Sequence, residues 1–260
     1  CGVMAGFLQG GGVGKTLSEW MIHGETEADA WSMDIARYGK FTENREYIKQ
    51  TTGQFYSRRF VMSYPNEQLP AGRDLKRTPV WRDQKEDGAI FGNSWGLEVP
   101  LMFGPNNFKE VPSLRRSNAF EHVKAEHLNV RENVGMLDIS GFSRFEVSGP
   151  GAREWLNHLF STNIPEKNKS KLAVMLGHDG RLKGDLTCFN WDDETFWIMG
   201  SYYLREWHMR WFHDHLPGGL RDLKTIGHVE VKDISDNICG YSISGPNARK
   251  VLEKLTSRDI

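Results

Sequence analysis

The sequence predicts an α+β fold, and the first observation behind that prediction is an internal repeat. Residues 145–159 (FEVSGPGAREWLNHL) and residues 241–255 (YSISGPNARKVLEKL) each begin as an alternating, strand-like stretch. Each then turns at Ser-Gly-Pro and continues with helical spacing of its apolar residues. A hairpin pattern between the two copies, residues 186–191 and 195–199 joined by Asp192, Asp193 and Glu194, adds antiparallel strands. Together these features predict a pseudo-symmetric α+β domain and identify no chemistry.

Both repeat helices place apolar residues at positions i, i+3, i+4 and i+7, which is typical of a helix that packs one face on a core. These residues are Ala152, Trp155, Leu156 and Leu159 in the first copy and Ala248, Val251, Leu252 and Leu255 in the second. We expect Pro150 and Pro246 in the first helical turn, where proline is tolerated.

Further elements follow along the chain. The spacing predicts a helix over residues 120–130, ahead of Gly135, and a strand over residues 228–234. A helix over residues 203–216 should carry Leu204, Trp207 and Trp211 on one face and end before Pro217. Residues 25–112 are polar, rich in Arg, Gly and Pro, and too weakly periodic to predict individual elements.

Composition excludes several classes of protein. The chain has 260 residues, of which 38% are hydrophobic and 26% charged, and no apolar run is long enough to span a bilayer. A formal net charge of −1 predicts neither nucleic acid nor an anionic membrane as partner. Cys1, Cys188 and Cys239 lack CxxC spacing, which argues against a disulfide framework and structural zinc and favours a reducing compartment such as the cytoplasm. Because the chain opens with Cys1, any targeting peptide would lie upstream.

The glycine-rich start does not match a nucleotide-binding P-loop. Walker A requires four residues between its first glycine and Gly-Lys, whereas three residues separate Gly10 from Gly14. We expect instead a glycine loop that presents unblocked backbone N–H groups at the start of a helix over residues 15–23, with Gly24 as its stop. Leu17, Trp20 and Met21 should form the inward face of that helix. Such a helix end suits an electron-rich cofactor edge or an anion, although an ordinary tight turn explains the glycines equally well.

Several motifs together resemble the dimethylglycine dehydrogenase and sarcosine dehydrogenase family. They are CGVMAGFLQGGGVGKTLSEWMIHG (1–24), MDIARYGKF (33–41), the segment 58–103, ENVGMLDIS (132–140), FEVSGPGA (145–152), HDGRLKGDLT (178–187) and SISGPNAR (242–249). The resemblance implies the C-terminal end of an FAD-binding α/β oxidoreductase domain at residues 1–40 and a central linker domain at 41–112. It implies a truncated, glycine cleavage T-protein-like aminomethyltransferase domain, which binds tetrahydrofolate, at 113–260. We therefore expect the chain to be incomplete, with the dinucleotide-binding GxGxxG and the amine-binding residues upstream.

The resemblance also implies an activity. In this family FAD accepts a hydride from an N-methylated glycine such as dimethylglycine or sarcosine, and tetrahydrofolate captures the one-carbon unit as its 5,10-methylene form. Expected partners are the small-molecule amine and an electron-acceptor protein, in the mitochondrial matrix if the source is eukaryotic. Two alternatives stay open: a folate-dependent aminomethyltransferase of the glycine cleavage type, which leaves residues 1–103 unexplained, and a non-catalytic folate-binding scaffold.

The resemblance also implies which residues form the binding and catalytic sites, at the positions where the motifs match. Asp185 matches the acidic residue beside the reacting folate nitrogens, where a carboxylate can accept a proton or stabilise cationic character. Its neighbours Gly184 and Leu186 are expected to line the folate site. The expected FAD-contacting residues are Gly11, Gly12, Val13, Gly14, Lys15 and Thr16. The competing interpretation of Asp185 is that it opens a strand and caps a turn, and Met199, Gly200 and Ser201 match a structural strand end near the folate pocket.

Three histidines of the helix over residues 203–216 invite a metal-binding interpretation. On a helix His208 and His215 share a face, but neither has a histidine or carboxylate at i+4, so no metal site is predicted. We expect His208, His213 and His215 on the helix surface, and Trp207 and Trp211 in the core.

Overall fold

The computed structural model describes residues 5–222 and 227–257. The chain divides into two compact units, residues 1–39 and residues 40–260. Helices and strands are both present, and the predicted α+β class is confirmed. Each unit is described by itself below.

The first unit contains one long helix, α1 (Gly6–His23), followed by the short 3-10 helices Trp31–Met33 and Ile35–Tyr38. The predicted stop is confirmed, since Gly24 adopts φ 75° and its N–H donates to the Trp20 carbonyl. The predicted glycine loop is wrong, because α1 runs through all of these glycines. Glycine adopts helical φ and ψ readily and no proline interrupts the segment, so the helix of residues 15–23 extends toward the N-terminus. The predicted inward face is not buried within this unit, where Met21 is 79% exposed.

The second unit opens with elements that periodicity did not predict. They are the 3-10 helix Lys40–Glu43, α2 (Arg45–Ser57), α3 (Trp81–Glu86), β1 (Ala89–Ser94) and β2 (Leu97–Phe103). Asn44 caps the N-terminus of α2, where its side chain accepts hydrogen bonds from the N–H groups of Glu46 and Tyr47. Strands β1 and β2 pair antiparallel around Trp95 (φ 50°) and Gly96 (φ 86°), the two positive φ values that a tight two-residue hairpin turn requires.

The remaining elements form two antiparallel sheets with four helices. They are α4 (Phe120–Glu132), β3 (Gly135–Asp138), β4 (Phe142–Ser148), α5 (Ala152–Leu159), β5 (Ser170–Leu176), β6 (Leu182–Asn190), β7 (Thr195–Ser201), the 3-10 helix Tyr202–Leu204, α6 (Arg205–His215), β8 (Glu230–Asp233), the 3-10 helix Ser235–Asn237, β9 (Tyr241–Ser244) and α7 (Ala248–Leu255). The larger sheet has the order β5-β6-β7-β4-β8, and β3 pairs with β9. The predicted β6–β7 hairpin and the helices α4 and α6 are confirmed.

The internal repeat is present in three dimensions. β4 leads into α5 and β9 leads into α7, and Gly149 and Gly245 hold almost the same φ at the two turns, 118° and 117°. A Cβ atom at Gly149 would lie 2.4 Å from the His228 carbonyl oxygen, and one at Gly245 2.5 Å from the Asn133 carbonyl oxygen. Both turns therefore require glycine for conformation and for space.

The predicted place of the prolines in the helices is wrong. Pro150 and Pro246 lie in the turns, and the N-cap residues of the two helices are Gly151 and Asn247. The positive φ at the preceding glycine bends the chain before the helix can start. The fixed φ of proline therefore shapes the turn and not the first turn of the helix.

The two repeat helices differ in burial. All four apolar residues of α5 are buried, and Trp155, which is fully buried, packs edge-on against Phe212 of α6. No described residue of α7 is buried, and Leu255 is 75% exposed. The core of this unit therefore lies between the five-stranded sheet and the helices α5 and α6.

Candidate functional site

Asp185 lies within β6 rather than at a turn. Its Cα pairs with that of Val174 in β5, and its side chain is exposed. With the residues that the structure describes, the carboxylate makes no hydrogen bond or ion pair. The interpretation of Asp185 as a residue that opens a strand and caps a turn is therefore wrong, and the carboxylate is free to meet a ligand.

The face of the sheet that carries Asp185 is mostly apolar around this residue. We call it the outer face, and near Asp185 it consists of Leu172, Val174, Thr187 and Met199. Leu172 pairs with Thr187 and Thr187 with Met199, so the side chains form adjacent rows across three strands. Leu172 is 57% exposed and the other three are half-buried. One carboxylate on a partly exposed apolar surface suits a flat heterocycle with N–H donors at its edge.

Successive residues of a strand point to opposite faces, so the neighbours of Asp185 face the core. Leu186 is buried there, and a Cβ at Gly184 would lie 2.9 Å from His208 Nε2. Of the predicted folate residues, only Asp185 presents its side chain on the outer face. Gly184 and Leu186 could contact a ligand there only through their backbone atoms. In β7, Met199 is on the outer face and Gly200 faces the core.

His208 and His215 are buried, so their predicted place on the helix surface is wrong. His208 is 1% exposed, and His215 donates one hydrogen bond through Nδ1 to the Trp211 carbonyl oxygen, at 2.7 Å. His213 is exposed as expected, and Trp211 is buried in the core as expected. Helical spacing placed His208 and His215 on one face but gave no indication of what covers that face.

Burial lowers the pKa of His208 to about 4, and the nearby backbone of Lys183 and the charge of Asp185 oppose this lowering more weakly. The imidazole is therefore neutral at pH 7, and the folded state favours this neutral form. Because the folded pKa lies below the ordinary value of 6.5, the stabilisation is fully present above pH 6.5 and is lost as the pH falls toward 4.

This shift predicts a pH-dependent difference between the parent protein and His208→Phe. Between pH 7.5 and pH 4.5 the parent should lose about 2–3 kcal/mol of unfolding free energy more than the variant, since one pKa unit corresponds to about 1.4 kcal/mol. Urea unfolding of both proteins at the two pH values measures the difference. An equal loss in both proteins would show that His208 titrates normally.

A polar network joins Lys76, which pairs with Leu97 of β2, to the end of β7, and sequence patterns did not predict it. The hydroxyl of buried Tyr202 accepts hydrogen bonds from Lys76 Nζ at 3.2 Å and Arg205 Nη1 at 2.5 Å, and donates to Asp236 Oδ1 at 3.1 Å. Lys76 and Asp236 also form an ion pair at 3.0 Å. Burial raises the pKa of Tyr202, so the phenol stays protonated and can donate. The network fixes the chain where it leaves the strand next to Asp185.

The glycine-rich part of α1 is a helix surface almost free of side chains. Cβ atoms at Gly10, Gly11, Gly12 and Gly14 would meet nothing within 4 Å. A flat ring can approach such a surface closely, so these residues fit van der Waals contact with a flavin. They do not supply the unblocked backbone donors that the sequence predicted, because N–H groups beyond the first turn of a helix bond to carbonyls one turn earlier. Lys15 pairs with Glu19 and Glu27.

Within residues 5–222 and 227–257 no group of three or more His, Cys, Asp or Glu side chains has an arrangement that could hold a metal ion. No described helix is both long enough and apolar enough to cross a membrane.

The fold belongs to the aminomethyltransferase class. The crystal structure of the glycine cleavage system aminomethyltransferase T from Bartonella henselae matches with a TM-score of 0.52 and 21% sequence identity. The match covers 70% of this chain and 44% of the other. At this identity the similarity concerns the fold alone.

Two family models match the sequence in succession. Residues 23–78 match the FAD dependent oxidoreductase central domain, and residues 80–260 match the GCVT N-terminal domain. Human mitochondrial dimethylglycine dehydrogenase is 33% identical over 98% of the chain, and human mitochondrial sarcosine dehydrogenase is 26% identical over 98% of it. The chain therefore belongs to the GCVT N-terminal domain family and, within it, to the dimethylglycine and sarcosine dehydrogenase family, as the motifs predicted. It spans 29% of the first of these relatives and 32% of the second.

Proposed function

We propose that the protein to which this chain belongs removes a methyl group oxidatively from an N-methylated glycine, dimethylglycine or sarcosine, and transfers the one-carbon unit to tetrahydrofolate. The observation that carries the proposal is Asp185, an exposed carboxylate with mostly apolar neighbours on the outer face of an aminomethyltransferase-type fold. The match to an FAD dependent oxidoreductase central domain at residues 23–78 supports the oxidative half.

The proposed chemistry divides between two groups of residues. FAD, when bound, supplies the hydride acceptor, and tetrahydrofolate supplies the two nitrogens that take up the carbon. Asp185 accepts a proton at its carboxylate as the second carbon–nitrogen bond closes, and its negative charge stabilises the cationic one-carbon unit. Val174 and Met199 present the apolar surface on which a flat ring lies and from which water is excluded.

For FAD we propose contact with the glycine-rich part of α1, through Gly11, Gly12, Val13, Gly14, Lys15 and Thr16. Glycines allow the helix backbone to approach a ring closely. The domain boundaries proposed with this function are 1–40, 41–112 and 113–260. An electron-acceptor protein is the expected partner of the reduced flavin, and the mitochondrial names of the human relatives support a matrix location if the source is eukaryotic.

The proposal is tested by the products that the full-length protein forms. Dimethylglycine and sarcosine are supplied separately with an artificial electron acceptor, with and without tetrahydrofolate, and formaldehyde and 5,10-methylenetetrahydrofolate are measured. We expect one of the amines to be oxidised in both conditions, with formaldehyde replaced by the folate product when tetrahydrofolate is present. Transfer to folate without amine oxidation would favour an aminomethyltransferase. The absence of both reactions in a folded, FAD-loaded protein would favour a non-catalytic scaffold.

A further inference from the structure

A buried imidazole lies directly behind the strand that carries Asp185. His208 of α6 points at β6 and β7 where both strands have glycine. A Cβ at Gly184 would lie 2.9 Å from Nε2, and one at Gly200 would lie 3.6 Å from Cε1. The ring therefore occupies the space beneath β6 that a side chain at position 184 would need.

The surroundings of this ring are apolar. Phe212 stacks on it at a centroid distance of 6.2 Å, and Trp207 and Phe145 meet it edge-on at 5.4 and 6.4 Å. Within the described residues neither ring nitrogen makes a hydrogen bond of normal geometry. A buried polar group without a well-formed hydrogen bond costs about 1–3 kcal/mol. Stability alone would therefore favour phenylalanine at this position, and the retained polarity requires another explanation.

Two groups of β6 act on the ring electrostatically. The backbone of Lys183 raises the pKa of His208, as a carbonyl acceptor does, and the charge of Asp185 acts in the same direction. Lys183 is also the extra residue of a β-bulge, because Met175 pairs with Gly184 while Leu176 pairs with Leu182. Bulges occur next to active sites, where they change the direction of a side chain. The imidazole thus faces the irregular backbone immediately before Asp185.

We propose that His208 is a positioning residue for Asp185, which it holds in place by donating a ring N–H to the Lys183 carbonyl when tetrahydrofolate occupies the outer face. Catalytic hydrogen bonds are commonly long or poorly aligned without ligand and tighten in the complex. The bond fixes residues 183–185 from the core side, without any contact between His208 and the ligand. This inference rests on the proposed function.

The test compares His208→Phe, His208→Gln and the control His213→Phe in the full-length protein. The readouts are stability and the fraction of oxidised one-carbon units recovered on tetrahydrofolate rather than as formaldehyde. We expect His208→Phe to be at least as stable as the parent at pH 7.5, to oxidise the amine at the parental rate and to transfer carbon to folate about tenfold more slowly, the effect of one hydrogen bond of about 1.4 kcal/mol. His208→Gln retains an N–H donor and should recover part of the transfer. His213, exposed on the same helix, controls for an added phenylalanine.

Three outcomes separate the possibilities. A stable His208→Phe protein that transfers carbon to folate as fast as the parent overturns the positioning role and leaves the proposed function intact. If His208→Phe loses both stability and carbon transfer, the result for a folded His208→Gln protein decides. Transfer by His208→Gln above that of His208→Phe supports the positioning role, and transfer as slow as that of His208→Phe overturns it. A parent protein that never transfers carbon to tetrahydrofolate overturns the proposed function and this inference with it.

Discussion

Replacing Asp185 with asparagine in the full-length protein is expected to slow the transfer of the one-carbon unit to tetrahydrofolate about 10²–10³-fold, the contribution of a positioned acid or base. Asparagine keeps the size of the side chain but neither accepts a proton nor carries a negative charge. Amine oxidation should be unchanged, so formaldehyde should accumulate in place of 5,10-methylenetetrahydrofolate. Single-turnover measurement of both products gives the two rates.

Glu194→Gln is the matched control for this prediction. Glu194 is an exposed carboxylate in the turn that joins β6 to β7. Its loss of charge should leave both rates at the parental values. If Asp185→Asn transfers carbon to folate at the rate of Glu194→Gln, Asp185 has no catalytic role, whatever its place on the outer face.

Replacing Trp155 with alanine is expected to lower the free energy of unfolding by about 4 kcal/mol, which is typical when a buried tryptophan or phenylalanine is replaced by alanine. Trp155 is fully buried between α6 and the sheet, and its indole N–H donates to the His215 carbonyl oxygen at 2.8 Å. The substitution leaves a cavity and a buried carbonyl without this donor. Urea unfolding, followed by tryptophan fluorescence and circular dichroism, measures the loss.

The internal repeat supplies the control for Trp155. Val251 occupies the equivalent position in α7, which has no buried residue among those described. Val251→Ala should cost no more than about 1 kcal/mol. Equal losses from Val251→Ala and Trp155→Ala would contradict the difference in burial between the two repeat helices.

The parts of the fold that were predicted correctly have strong periodicity and clear stops. The two strand–turn–helix units, the β6–β7 hairpin and α6 each combine a regular apolar pattern with a turn signal such as Ser-Gly-Pro or Pro217. The patterns did not indicate which repeat helix is buried. Both carry apolar residues at the same spacing, but α5 meets α6 and the five-stranded sheet, and those partners come from elsewhere in the chain.

The elements that were missed depend on local signals weaker than periodicity. The β1–β2 hairpin turns at Trp95-Gly96, and tryptophan at positive φ is not a residue that predicts such a turn. The start of α1 was misplaced because glycine usually breaks helices, and that average preference did not hold for a segment without proline.

Sequence motifs located the candidate site but not its arrangement. Alternation along a strand implies that Gly184 and Leu186 face away from Asp185, and the structure agrees. The burial of His208 was not predicted, although glycines on two neighbouring strands, Gly184 and Gly200, are a recognisable sign that a bulky side chain lies against them.

Titration calorimetry of tetrahydrofolate into the full-length parent protein and into Asp185→Ala tests whether this protein binds folate at Asp185. We predict saturable binding by the parent, at one site per chain, and clearly weaker binding by the variant, because the variant lacks the carboxylate that we propose contacts the folate. A folded parent that gives no heat of binding and does not alter the fluorescence of tetrahydrofolate would contradict the account and remove folate from the function of this protein.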